Sequence, residues 1–141
     1  MKKSTDELMK ILNSKKSYSE FLQDEKVEFV ETSISEYLNE LLEEKQLKKS
    51  EVIRRGNLDK NYAYQIFNGN KLNPSRNKVL MISIGMGLTL TETRRLLKIC
   101  NQSDLYIRNA RDSVIIFGID KKMTLMEINE LLNDFSFEIL E

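Results

Sequence analysis

The sequence predicts an all-α protein, and three observations carry that expectation. A single proline and five glycines in a 141-residue chain with 31% charge leave little turn chemistry for a sandwich or a barrel. Five short stretches pair a Ser or Thr with a Glu three residues on, the spacing at which a hydroxyl and a carboxylate satisfy free amides at a helix start. Apolar residues then recur at steps of three and four, as one buried helical face requires.

Taken in order, Ser4-x-x-Glu7 opens a first helix carrying Leu8, Ile11 and Leu12, and Ser17-x-x-Glu20 opens a second. Residues 1–31 are therefore expected to be an acidic N-terminal helical segment. Ser33-x-x-Glu36 starts a helix whose stripe is Tyr37, Leu38, Leu41 and Leu42. A short helix is expected from Lys49. Asp59 is a good N-cap for another beginning at Lys60, which stops near Asn68-Gly69, where glycine tolerates the left-handed conformation. Pro74, as first helical residue after Asn73, is expected to begin the next, and Thr89-x-x-Glu92 the one after it. The apolar runs Val79–Ile84 and Ile115–Ile119 have strand-like composition, but neither has a hairpin turn or a partner run, so both are expected to be buried helices. Thr124-x-x-Glu127 starts the last helix, with Leu125, Ile128, Leu131 and Leu132 on its stripe.

The last four helices read as two copies of one hairpin. At an offset of 35 residues, 76–97 aligns without gaps on 111–132 with eight identities, both capping sequences among them. Two copies are too few for a solenoid, so the expected outcome is a second helical pair stacked on the first, in an extension spanning 101–141.

The stretch from Leu38 to Leu97 carries the chemistry. It holds Glu51-Val52, Leu58, Ile66, Asn68-Gly69, Pro74-Ser75 and Gly87 in the order helix, scaffold helix, short turn, second helix ending Asn-Gly, and two closing helices. This pattern resembles the phage-repressor/Cro-like helix-turn-helix family, the xenobiotic-response-element type, and the C-terminal continuation is similar to that of a bacterial subfamily. The resemblance implies a five-helix DNA-binding domain at 32–100 and a transcriptional regulator that reads double-stranded DNA. Base contacts then fall on Lys60, Asn61, Tyr64 and Gln65, which helical spacing puts opposite an inward stripe of Ala63 and Ile66. Lysine donates to guanine O6 and N7, and Asn or Gln pairs with adenine N6 and N7. Phosphate contacts fall on Lys49, at the start of the scaffold helix, and on Asn68, Lys71, Arg76 and Lys78, beyond the far end of the reading helix. Arg54 and Arg55 are expected to solvate the outer face of the scaffold helix.

Three positions depart from the family pattern, and so does the composition of the reading helix. Ile53 replaces a small residue where the two motif helices cross, Gly56 replaces an apolar one, and Asn57 stands for the turn glycine. Phe67 and two tyrosines also make the reading helix aromatic. An aromatic helix face serves a protein surface equally well, so a helical adaptor or inhibitor that keeps the fold but binds another protein is the competing expectation.

Lys and Arg total 22, as do Asp and Glu, but the zero net charge is a partition. Residues 1–44 carry −5, 45–80 carry +7 and 81–141 carry −2, and a polyanion meets the local field rather than the sum. The absence of His and a lone Cys100 exclude His-ligated metal and Cys–His nucleophiles, and no carboxylate pair or glycine-rich phosphate loop stands out. We therefore expect no enzyme, no cofactor and no metal, with the six methionines as core filler. The N-terminus lacks an apolar signal core, and the Val79–Leu90 run is too short to span a bilayer, which leads us to expect a cytoplasmic chain. One such module reads too few base pairs alone, so a homodimer or a protein partner is expected through 101–141.

Overall fold

The computed structural model describes residues 3–14, 18–20 and 33–141. Every regular element among them is a helix, and none of these helices is long and apolar enough to cross a membrane. The chain divides into two compact units, Met1–Glu31 and Thr32–Glu141.

In the first unit, α1 runs over Thr5–Ser14, with the Ser4 hydroxyl accepting from the Glu7 amide at 3.2 Å. The expected start at Ser17 lies outside the described residues.

The second unit holds α2 (Ile34–Glu44), α3 (Lys49–Arg55), α4 (Lys60–Phe67), α5 (Arg76–Met86), α6 (Leu90–Ile99), α7 (Ala110–Asp120) and α8 (Leu125–Asp134). The caps explain most of the boundaries. Thr89–Glu92 and Thr124–Glu127 form complete capping boxes, and Ser33 caps α2 through its hydroxyl. Asp59 accepts from the Tyr62 amide at 2.9 Å to start α4, and Gly69 at φ +83° ends it. Both strand-like runs are helices, α5 and α7.

α5 is the centre of this unit. Val79, Leu80, Met81, Ile82, Ser83, Gly85 and Met86 are all buried, so it is covered around its circumference, and it packs on α3, α6 and α8. Its buried Ser83 hydroxyl donates to the Val79 carbonyl, which leaves no polar atom there without a partner. α3 and α5 approach closely because both carry glycine at the contact. A Cβ on Gly85 would lie 2.7 Å from the Val52 carbonyl oxygen, and one on Gly56 would lie 2.8 Å from that of Met81. This accounts for Gly56 where an apolar side chain was expected. Asn57 takes φ +49°, so the turn forms without glycine.

The start of α5 corrects the sequence reading. The helix begins at Arg76, with Ser75 rather than Asn73 as N-cap, and Pro74 precedes it. The Ser75 hydroxyl accepts from the Lys78 amide at 3.3 Å, a bond that Asn73 does not make and that fixes the first turn two residues later. The buried Pro74 instead offers its carbonyl to the side-chain Nε2 of Gln102 at 2.9 Å.

The duplicated hairpin is visible atom by atom. Gly87 (φ +66°) and Lys122 (φ +55°) are equivalent positions, as are Asn101 (φ +57°) and Ser136 (φ +63°). Arg76 Nε donates to the Ser103 carbonyl at 3.0 Å, and its equivalent Arg111 donates to the Glu138 carbonyl at 2.9 Å, so each hairpin ties its own ends together. The copies also exchange bonds: Arg76 reaches Asp112, and Arg111 reaches Asn77, the equivalent of Asp112 in the first copy. Both ends of α7 lie one residue earlier than those of α5 in this alignment. Ser75 aligns with Ala110, which has no acceptor, and Asn109 caps instead.

Candidate nucleic-acid interface

α4 presents a polar outer face because its apolar residues share the other one. Ala63, Ile66 and Phe67 are buried, Lys60, Asn61 and Gln65 are exposed, and Tyr64 is half-buried. The Asn39 side chain donates to the Phe67 carbonyl at 3.1 Å, which anchors the C-terminal end of α4 to α2. Phe67, at 2% exposure, is a core residue, so the aromatic outer face inferred from the sequence is reduced to Tyr64 and the edge of Tyr62.

Lysines gather around this helix through its aromatic rings. Lys49 Nζ lies 5.6 Å from the centre of the Phe67 ring, and Lys71 and Lys78 lie 5.2 and 5.8 Å from that of Tyr62. Such contacts contribute about 0.5–1 kcal/mol at exposed sites and hold the ammonium groups near one another despite their repulsion. Burial raises the Tyr62 hydroxyl above its usual range, so the ring beneath the two lysines stays neutral. Asn68 is the exposed C-cap of α4.

Of the nine cations in 45–80, three are committed elsewhere. Lys45 pairs with Glu92 at 3.0 Å, and Arg55 with Glu51 at 3.4 Å. Arg76 is the third. Its Nη1 and Nη2 donate to the two oxygens of Asp112 at 2.9 and 2.8 Å, Nη2 also reaches the Asp104 carbonyl, and Nε is held by Ser103. This guanidinium joins α5 to α7, and the donors expected to meet a phosphate are held by Asp112, Asp104 and Ser103. Lys78 also has its amide taken by Ser75, so only its ammonium remains. Lys48, Lys49, Arg54, Lys60, Lys71 and Lys78 have no carboxylate within 4 Å among the described residues. The sequence reading passed over Lys48, for which the Lys48-Lys49 doublet was the available signal.

Asp112 is the other residue that the expected site did not include. Burial works to raise its carboxyl, but the Arg76 fork, the Tyr106 amide at 3.0 Å and the charge of Arg111 outweigh it and hold it below the ordinary carboxylate range. Cys100 is buried, and burial pushes its thiol up to about 11, which makes it a poor nucleophile.

Comparison with protein-family models, with curated proteins and with solved structures finds no match for this chain.

Proposed function

We propose that the chain is a sequence-specific DNA-binding transcriptional regulator in which α2 to α6 act as a repressor-like helix-turn-helix domain and α4 enters the major groove. The observation that carries this reading is the outer face of α4: exposed Lys60, Asn61 and Gln65, flanked by Lys49, Lys71 and Lys78 with no carboxylate partner. In this assignment Lys60, Asn61 and Gln65 read base edges, Tyr64 reaches a base methyl or a phosphate, and Lys49, Lys71, Lys78 and Asn68 hold the backbone. The burial of Phe67 weighs against the adaptor alternative on this face, because it removes the apolar anchor a protein interface would use. One module covers too little DNA for useful specificity, so two are expected to cooperate on a pseudo-palindrome, joined directly or by a partner protein through 101–141.

The test is selection of bound sequences from random DNA at about 0.15 M salt. An enriched motif is expected, and Lys60→Ala, Asn61→Ala or Gln65→Ala should each cost about 1–3 kcal/mol on it while relaxing specificity. Recovery of no motif, with weak binding driven wholly by salt, would sink the proposal.

A further inference from the structure

A groove of about 1100 Å³ lies on the hairpin side of α3 in the Thr32–Glu141 unit, lined by the ends of α3 and α5, by α7 and along α8. Its apolar lining includes Ile84, Leu88, Ile119, Met123, Met126 and Ile139.

Two features say what fits there. The first is shape. α8 contributes Met126, Asn129, Glu130 and Asn133, which are spaced i, i+3, i+4 and i+7 and so form one continuous helix face about 10 Å long. Met126 stands on that face 73% exposed, a large apolar side chain with no cover. The groove lies at the upper end of the roughly 300–1,000 Å³ of small-molecule sites, and its long α8 wall suits a second helix laid along it. Asn129 fixes the far wall, pairing both amide atoms with the backbone of Leu140 at 2.8 and 3.0 Å, so Ile139 is held in place.

The second feature is charge. Arg54, Arg55 and Lys122 line the groove against one carboxylate, Glu130. Arg55 has an exposed partner in Glu51, a pair of little strength, while Arg54 and Lys122 have no carboxylate within 4 Å among the described residues. The equivalent face of α6 in the first hairpin copy is Thr91, Arg94, Arg95 and Lys98, with a polar residue where the second copy has Met126. The apolar centre is therefore particular to the second copy rather than a consequence of the shared hairpin.

We propose that this groove binds an amphipathic helix of a partner protein. The helix would place apolar side chains at i, i+3 or i+4, and i+7 over Met123 and Met126, with flanking Asp or Glu meeting Arg54 and Lys122. Methionine side chains re-pack around differing apolar anchors, which suits such a floor. The inference deepens the partner surface proposed on 101–141 and rests on that reading for its location, whereas its occupant is read from the groove.

The experiment uses the full chain against a displayed library of helix-favouring random peptides of about twelve residues. Enriched peptides are expected to carry the apolar spacing with acidic flanks, and the best of them, labelled, is followed by fluorescence anisotropy. Met126→Glu should weaken it at least about tenfold, and Arg54→Glu with Lys122→Glu should weaken it further at low salt than at high salt. Thr91→Glu, on the equivalent face of the first copy, should leave it unchanged, and circular dichroism verifies that each variant is folded. Peptides with basic flanks, no enrichment, or binding indifferent to Met126→Glu overturn the proposal. Met126-dependent self-association without peptide overturns it in favour of a second copy of the chain. Lys60→Ala should relax DNA selectivity without touching peptide binding, which separates failure of the DNA reading from failure of this one.

Discussion

The carboxylate of Asp112 receives both arms of the Arg76 fork and the amide of Tyr106, with its side chain only 7% exposed. Because the Arg76 side chain is itself only 21% exposed, removing either partner leaves a charge in a partly dry site. Asp112→Ala is expected to lower stability by about 3 kcal/mol, measured by urea unfolding. The folded-state pKa of Asp112 is depressed, so its contribution is full above the unfolded value of about 3.9 and disappears as the pH falls through the lower folded value. Asp112→Asn should therefore flatten the acid limb of the stability curve, and an acid limb unchanged by the substitution would contradict the assignment. Arg76→Ala should destabilise similarly while leaving the salt slope of DNA binding as it was. The sequence placed Arg76 correctly at a helix start, where phosphate binding is a reasonable expectation, but the acceptor that claims it lies 36 residues further on.

At the scale of elements, helix starts were legible wherever a hydroxyl or carboxylate cap acts within its own first turn. Thr89, Thr124, Ser33 and Asp59 all act as N-caps, with the returning carboxylate of the expected box present at Thr89 and Thr124 and absent at Ser33. Pro74 misled because proline and serine both favour helix starts, and the choice between them was settled by the Ser75 bond to Lys78. What no spacing rule conveys is the contact of α3 with α5 through Gly56 and Gly85. A Cβ at Gly85 would meet the Val52 carbonyl and the Gly56 amide nitrogen, at 2.7 and 2.9 Å, and backbone atoms yield less readily than side chains. Gly85→Ala is expected to cost about 1–3 kcal/mol despite alanine's better helix propensity, as read by thermal denaturation. Gly87→Asn should cost less. There is open space around Gly87, and its counterpart in the second copy, Lys122, already holds a positive φ. If Gly85→Ala were the milder change, the helices would have room to part and the close approach would not be a constraint.

For the whole molecule, the partition of charge has a measurable consequence. The uncommitted lysines around α4 should set the salt dependence of DNA binding, so Lys49→Ala, Lys71→Ala or Lys78→Ala should weaken all sequences alike and each reduce the salt slope by about 1. An unchanged slope in all three would remove this surface from consideration. Light scattering at micromolar concentration, with and without DNA, tests the pairing of modules: a particle that remains monomeric in both excludes a homodimer and leaves the partner protein as the means of gaining specificity. The hairpin suits such a role, since α8 lays its Met126 face open beside Arg54 on α3.

By itself the sequence determined the helical content, the caps of α2, α4, α6 and α8, the internal repeat and the polar outer face of α4. All of these follow from interactions within one or two helical turns, and a period of 3.6 residues separates Lys60, Asn61 and Gln65 from Ala63 and Ile66 wherever the helix is placed. Only the tertiary structure decided which cations stay open, that Phe67 is core, that two glycines let α3 press on α5, and that α8 closes a groove with an uncovered methionine. These depend on partners tens of residues apart, brought together by burial of apolar surface, which is non-directional and leaves no local pattern from which to read which side chains will meet.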